Sequence, residues 1–245
     1  MNNKQTTDTI MMIRPFKFGF NVSTSEDNVY QNSSKKGITS SDVSKQALVE
    51  FDRFVHLLKS VGVNVVEFRD NGQYETPDSI FPNNWISTHI DGSIWLYPMH
   101  SINRRTERRE DIIDFLKNNF HVQNIFNNAS IHEANNQFLE GTGSMVLDRE
   151  NQIAYASLSQ RTNSVLFKDW CRKMNFHPVF FESEDGGKPI YHTNVLMSIC
   201  QDMVLICLDA ISESSDRDKL LSFFRDTGKE IIDISKSQMN SFLGN

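Results

Sequence analysis

The feature that most constrains this chain is a unit that recurs three times. Each copy reads as a strand, a tight turn, a return strand, a helix and a further strand. The first starts at Ser79-Ile-Phe-Pro-Asn-Asn-Trp, turns at Asp91-Gly92, returns as Ser93 to Tyr97, and continues as a helix from Glu107 to Asn118 and a weak strand from His121 to Ile125. The second comprises Glu140 to Leu147, Gln152 to Ala156, a helix from Val165 to Met174 and a strand from Pro178 to Glu182. The third comprises His192 to Ile199, Met203 to Leu208, a helix from Asp216 to Thr227 ended by Gly228, and a strand from Glu230 to Ile234. Anchored at Asn84, Glu140 and His192, the copies are offset by 56 and 52 residues.

Periods near 50 residues belong to propellers or solenoids. A helix in every unit excludes the all-strand blade. What remains is a closed ring of ββαβ units with helices outside, whose equivalent strand ends face a central cavity. Such a ring explains why polar anchors recur at one place in each copy. One more period after His192 reaches the segment Gln238 to Asn245, where a further, incomplete unit is expected to begin.

Ahead of the repeats, Ile13 to Phe20 alternates apolar and polar residues and predicts a first strand, with Pro15 placing it near an edge. Ser23 to Asp42 is rich in Ser, Asn, Lys and Asp and reads as a long polar loop, either a solvated connection or a cover over a site. Leu48, Phe51, Phe54, Val55 and Leu58 follow helical spacing from Ser44 to Ser60, Gly62 closes that helix, and Val63 to Phe68 is the next strand.

Composition mainly excludes. A net charge of −6 gives no basic footprint for nucleic acid and no attraction to an anionic membrane surface. No apolar run approaches the roughly 18–20 residues that span a bilayer, and the first residues lack the apolar core of a secretory signal. Cys171, Cys200 and Cys207 are too few and too scattered for a disulfide framework, which fits a reducing, cytoplasmic setting. Cys171 lies in the Trp170-Cys-Arg-Lys stretch of a helix, Cys200 and Cys207 flank the third unit's hairpin among Ile, Leu and Val, and all three read as buried or half-buried thiols.

The stretch Phe138-Leu-Glu-Gly-Thr-Gly-Ser-Met-Val-Leu-Asp148 is the middle anchor. Taken alone, Glu140 before a Gly-x-Gly could be a solvated carboxylate in a tight turn, followed by a strand from Ser144 to Leu147 and a turn at Asp148 to Asn151. The repeat on both sides favours a functional carboxylate. His192 is either a satisfied histidine beside its strand or the functional residue of the third copy. Asp78 either caps the Pro77 turn or binds substrate nitrogens, and Asn83 and Asn84 are either turn formers or ligands. Arg104-Arg105 and Arg108-Arg109 stand where a helix dipole disfavours cations, so a solvated face shared with Glu107, Glu110 and Asp111 competes with anion binding by Arg104. His132-Glu133 lacks a second histidine four residues on and is not a zinc-protease motif. No cluster has metal-ligand spacing, so no metal is expected.

Three strings, Ser79-Ile-Phe-Pro-Asn-Asn-Trp, Phe138-Leu-Glu-Gly-Thr-Gly-Ser and Tyr191-His-Thr-Asn, resemble the arginine deiminase and amidinotransferase superfamily, and most closely its citrulline-utilisation hydrolase branch. The resemblance runs from Ile13 to Asn245. It implies an α/β fold, a pentein-type propeller of ββαβ repeats in a single domain over 1–245, with the last unit incomplete. It also implies a thiolate that attacks the carbon of a guanidino or ureido group, a histidine acid/base, and carboxylates that hold the nitrogens. On the matching motifs, Glu140 takes the carboxylate position, His192 the catalytic histidine position, and Asn84, Gly143 and Asn194 fall where deiminases carry aspartates. Arg104 and Arg161 stand where family arginines hold the substrate's α-carboxylate, with Arg105 as the neighbour that can replace Arg104.

A guanidinium cation is best held by carboxylates, whereas a neutral ureido group offers both a carbonyl acceptor and N–H donors, which amide side chains match. Asn84, Gly143 and Asn194 in place of aspartates therefore point to citrulline. The family nucleophile lies late in the chain, none of the three cysteines occupies its position, and no positive surroundings are evident to activate them. The expectation is a binding half with its acid/base, short of the cysteine, and inactive or nearly so alone. The alternatives are a non-catalytic amino-acid-binding or interaction module, and a related amidinotransferase or arginine deiminase. A free amino acid is the expected partner, with no cofactor, and an incomplete ring would expose strand edges that favour a homo-oligomer.

Overall fold

The computed structural model describes residues 4–25, 28, 30–31 and 39–245. Its contacts divide into two compact units. One comprises Thr7–Leu96 with Ser101–Phe126, and the other Met1–Thr6, Tyr97–His100 and Asn127–Asn245. Each is considered by itself.

In the first unit, β1 (Thr9–Arg14) pairs in parallel with β2 (Asn64–Arg69), and α1 (Ser40–Ser60) connects them. The expected first strand, Ile13 to Phe20, is displaced towards the N-terminus. Pro15 has no N–H to give a ladder, so the strand stops at Arg14, and Phe16 and Phe20 are exposed. Helix α1 begins earlier than expected because Thr39 and Asp42 form a reciprocal capping box, with Asp42 N donating to Thr39 Oγ1 at 3.2 Å and Thr39 N donating to Asp42 Oδ2 at 3.1 Å. The Thr39 hydroxyl also donates to Asp42 Oδ2 at 2.6 Å, and that bond holds the Asp42 carboxyl below its usual range. Phe51 and Val55 pack on Val65 in the local core, whereas Phe54, expected on the same face, is 52 % exposed. Half of the candidate cover from Ser23 to Asp42 lies outside the described residues.

The first repeat forms the three-stranded sheet β3 (Ile86–Thr88), β4 (Ser93–Leu96) and β5 (Asn124–Asn127), with β3 and β4 antiparallel. Gly92 in the β3–β4 turn has φ +78°, and a Cβ there would lie 2.6 Å from the His121 carbonyl oxygen, so only glycine fits. Helix α2 (Glu110–Asn119) starts three residues later than expected. The arginines precede it, in or beside a 3₁₀ turn at Asn103–Glu107, which leaves Glu110 and Asp111 to meet the positive helix end.

The second unit holds α3 (Ala129–Ala134), which periodicity did not reveal, then a single turn α4 (Gly141–Ser144) and the sheet β6 (Val146–Asp148), β7 (Ile153–Ser157), β8 (His177–Phe181). Helix α5 (Ser164–Met174), capped by the Asn163 side chain, joins β7 to the parallel β8. A small hairpin, β9 (Glu184–Asp185) and β10 (Lys188–Pro189), leads to a second single turn, α6 (Thr193–Leu196). The third repeat is the sheet β11 (Met197–Ile199), β12 (Met203–Ile206), β13 (Glu230–Asp233), with α7 (Ser214–Asp226) between the last two strands. Sheets two and three share one pattern, an antiparallel hairpin followed through a helix by a parallel strand. At Gln238 to Asn245, where a further unit is expected to begin, no strand is assigned. Residues Lys236–Met239 form a short helix, α8, under a Ser235–Gln238 capping box.

Two polar devices hold this unit together. Gln5 donates from Nε2 to the carbonyls of Leu147 (2.9 Å) and Ile199 (3.1 Å) and accepts from Arg149 N (2.8 Å), so one side chain clips β6 to β11. Lys229 Nζ lies 3.3 Å from Asp148 Oδ2 and donates to the carbonyls of Cys200 and Gln201, and both charged side chains are at most 1 % exposed. A buried ion left without its partner is costly. Asp148→Ala is therefore expected to destabilise the protein by about 3–5 kcal/mol, measured by urea unfolding. A change below about 1 kcal/mol would show that water compensates Lys229.

Candidate functional site

Each anchor lies at a single helical turn ahead of the first strand of a hairpin, but only Glu140 and His192 hold the same position of it. Asn84 ends the 3₁₀ turn Pro82–Asn84, Glu140 is the N-cap of α4, and His192 is the N-cap of α6. The strand expected from Ser144 to Leu147 therefore begins two residues later, at Val146, because Ser144 ends a helical turn. Ser144 Oγ accepts from Glu140 N at 2.9 Å and donates to the Arg161 carbonyl at 2.7 Å, which curls the Gly-x-Gly back on itself.

In the second unit, Glu140 and His192 meet. His192 Nε2 is 2.8 Å from Glu140 Oε2, with His192 4 % exposed and Glu140 wholly buried. His100 N donates to Glu140 Oε1 at 2.9 Å, and Arg161 Nη1 lies 3.5 Å from Glu140 Oε2. The Arg161 guanidinium also stacks over the Tyr191 ring at 4.7 Å. The alignment is enforced next door, where Thr193 Oγ1 donates to the Ser144 carbonyl at 2.6 Å and accepts from Ser157 N at 2.7 Å. Those two bonds hold α6 against α4 and β7, and so place His192 on Glu140. Such a constellation can position a proton-exchanging imidazole and hold its charged form against a carboxylate.

Gly143 and Asn194 do not join the carboxylate. Gly143 is buried with its N–H bonded to the Glu140 carbonyl, and Asn194 Nδ2 donates to Asn245 Oδ1 at 3.0 Å.

In the first unit a separate cluster gathers Asp78, Asn84 and Arg104. Arg104 is 3 % exposed and grips Glu107 with a two-pronged pair, Nε to Oε1 and Nη2 to Oε2, both 2.9 Å. Its Nη1 donates to Asn84 Oδ1 at 2.8 Å. Asp78 Oδ2 lies 3.8 Å from Arg104 Nε and accepts from Asn21 Nδ2 at 2.7 Å. Asn21 Oδ1 in turn accepts from Asn103 Nδ2 at 2.9 Å. Of the two readings open for Arg104, the solvated face does not hold, because Arg104 is buried with its fork on the Glu107 carboxylate. Arg105 is part-exposed, as is Asn83. Sequence reasoning missed Glu107, Asn21, Tyr191, Ser144 and Thr193. Of these only Glu107 was signalled, by its i, i+3 spacing from Arg104 on a helical turn.

Burial pushes the Cys171 thiol up to about 12 and raises that of Cys207, the opposite of thiolate activation. Cys200, expected to be at least half-buried, is exposed. Among the described residues no group of three or more His, Cys, Asp and Glu is arranged to hold a metal ion. No described helix is long and apolar enough to cross a membrane. Iodoacetamide at pH 8 is expected to modify Cys200 alone in the native protein, and Cys171 and Cys207 only after denaturation, as read by peptide mass spectrometry. Native modification of Cys171 would contradict the packing described.

A family model described as N,N dimethylarginine dimethylhydrolase, eukaryotic, matches residues 14–245. A search of curated proteins finds no match. Among solved structures, the substrate-bound N-terminal domain of ArgZ, an arginine dihydrolase of the ornithine-ammonia cycle in cyanobacteria, is similar with a TM-score of 0.72 at 16 % identity, covering 97 % of this chain and 79 % of that one. AgrE in complex with ornithine and NAD+ is similar at TM-score 0.70 and 16 % identity, covering 98 % of this chain and 32 % of that one. A dimethylarginine dimethylaminohydrolase adduct is similar at TM-score 0.60 and 13 % identity, covering 97 % of this chain and 78 % of that one. The chain spans about a third of whole ArgZ, 31 %. At these identities the likeness shows the fold, a mixed α/β fold of the pentein type.

Proposed function

We propose that the chain, which belongs to the eukaryotic N,N-dimethylarginine dimethylhydrolase family matched over residues 14–245, is of the hydrolase type acting at the ureido or guanidino carbon of a free amino acid, with Glu140 as binding carboxylate and His192 as acid/base. The observation that carries this reading is the wholly buried Glu140 paired with His192 at 2.8 Å. With Nε2–H donating to the carboxylate, Nδ1 is the nitrogen that exchanges a proton with the reacting group. Glu140 stabilises the imidazolium formed in that exchange. The repeated sheets are read as blades of a pentein ring.

Within the proposal, citrulline is the favoured substrate. Glu140 is already offset by Arg161 at 3.5 Å, so it offers a second cation less than an unpaired carboxylate would. Arg161 is assigned the substrate's α-carboxylate, and Arg104, whose fork holds Glu107, and its neighbour Arg105 stay candidates for that role on motif likeness. Asp78, Asn83, Asn84, Gly143 and Asn194 remain recognition candidates on motif likeness. A second reading, a methylated or unmodified arginine, is favoured by the name of the family itself. The proposal invokes no cofactor, places the protein in a reducing cytoplasm in keeping with its three free cysteines, and allows a homo-oligomer.

Cys171 and Cys207 are buried with raised thiols, so the nucleophile is assigned to neither, and motif position excludes Cys200. Calorimetry is expected to show citrulline binding that His192→Ala and Glu140→Gln each weaken at least tenfold, about 1.4 kcal/mol. Turnover by the chain alone is expected at background. Failure to bind citrulline, arginine or methylated arginine would sink the proposal, and hydrolysis abolished by His192→Ala would show that one of the three cysteines acts.

A further inference from the structure

Glu140 has two carboxylate oxygens for three polar neighbours. Oε1 accepts from His100 N at 2.9 Å. Oε2 is contested, with His192 Nε2 at 2.8 Å and Arg161 Nη1 at 3.5 Å. A guanidinium free to move closes on a carboxylate to about 2.7–2.9 Å. Glu140 is wholly buried and Arg161 is 1 % exposed, so solvent does little to weaken their attraction. The stand-off at 3.5 Å therefore needs a cause.

Tyr191 supplies one. The Arg161 guanidinium lies over the Tyr191 ring, with Cζ 4.7 Å from the centroid, and an aromatic face attracts a cation. The stack is also fixed from the backbone. Ser159 Oγ accepts from Arg161 N at 3.1 Å and donates to the Tyr191 carbonyl at 2.8 Å, so one hydroxyl ties the two residues together. The turn that carries Arg161 is closed by Thr162 N donating to the Ser159 carbonyl at 3.1 Å. The same Tyr191 ring lies against the His192 imidazole, with centroids 4.7 Å apart and the planes tilted by 48°. Tyr191 thus touches both groups that compete for Oε2.

We propose that Tyr191 is a positioning residue whose ring holds the Arg161 guanidinium off Glu140 Oε2, reserving that oxygen for His192 and fixing the imidazole with its proton on Nε2. Without the ring, Arg161 closes on Oε2 and displaces the imidazole N–H. The bond that selects one tautomer is then lost, and Nδ1 no longer stays the open, proton-exchanging nitrogen. The inference deepens the acid/base reading of His192 and rests on it for its consequence in catalysis. The stand-off itself belongs to the free protein and is tested without ligand.

The test is proton–nitrogen correlation NMR of the histidine side chains in the full chain. It reads the His192 tautomer and the rate at which the Nε2 proton exchanges with water. The wild type and Tyr191→Phe, which keeps the ring face, are expected to carry the proton on Nε2 alone. Tyr191→Leu is expected to populate the Nδ1 tautomer and to speed Nε2 exchange about tenfold or more, the loss of one charge-assisted hydrogen bond. With Arg161→Gln already in place, Tyr191→Leu is expected to add nothing. A wild type protonated on Nδ1 overturns the proposal, as does an unchanged His192 in Tyr191→Leu. Tyr191→Phe behaving like Tyr191→Leu overturns it too. A purely structural role would loosen the neighbourhood whatever stands at 161. The same acceleration in the Arg161→Gln background, or an equal gain in exchange at the Ser157 amide bonded to Thr193, therefore also overturns it. Should Tyr191→Leu fail to fold, pentafluorophenylalanine in place of Tyr191 keeps the ring's shape and reverses its charge distribution. The Nδ1 tautomer appearing there supports the proposal, and its absence overturns it. Citrulline added to the same samples tests the substrate reading apart from this one. Failure to bind sinks that reading, whereas the tautomer of the free protein decides this one.

Discussion

Glu140 is a carboxylate with no solvent exposure. Burying an uncompensated anion costs several kcal/mol or more, so its partners determine where the chain must go. They come from segments far apart in sequence: the backbone N–H of His100, the Arg161 guanidinium and the His192 ring. Satisfying one charge therefore draws three stretches onto α4. The serine and threonine bonds beside it, Ser144 to the Arg161 carbonyl and Thr193 to the Ser144 carbonyl, fix the same stretches by their backbones. A second layer of neutral hydrogen bonds thus fixes the geometry that the charges alone would leave loose.

This layering explains what was legible in the sequence. The anchors Asn84, Glu140 and His192 were visible because a repeated backbone unit brings equivalent positions to equivalent places, and spacing survives in sequence. The local path was less visible. Gly-Thr-Gly-Ser after Glu140 has the composition of a turn into a strand, yet Ser144 accepting the Glu140 N–H makes it a helical turn. Phe54 has helical spacing with Phe51 and Val55 but falls beyond the width of the buried stripe. Gln5 carries no signal, since a single polar side chain near the N-terminus has no pattern, although it joins β6 to β11. Periodicity reports which face is buried. It says nothing about which polar atom closes a gap.

The two arginines at matching offsets show where repetition stops. Arg104 follows Asn84 by 20 residues and Arg161 follows Glu140 by 21. Arg104 is clamped by a carboxylate three residues away, whereas Arg161 has an aromatic face and a carboxylate at longer range. The repeat supplies a place for a cation in each copy, and the residues around it decide the use. Glu107 turns one into a fixed donor, while Tyr191, its ring tilted against that of His192 at 4.7 Å between centroids, leaves the other beside the Glu140–His192 pair.

That difference bears on the charge of the ligand. At a few ångströms and an effective dielectric near 20, two unit charges interact by about 4 kcal/mol. The Glu140 carboxylate already has Arg161 at 3.5 Å, so an arriving guanidinium would meet repulsion from Arg161 of the same order as its attraction to Glu140. A neutral ureido group escapes both terms and needs only matched hydrogen bonds. Protonation of His192 would add a second positive charge beside the same carboxylate, which further penalises a cationic ligand and leaves a neutral one unaffected. The buried pair that organises the fold of this unit is thus also the electrostatic argument for a neutral side chain over a cationic one.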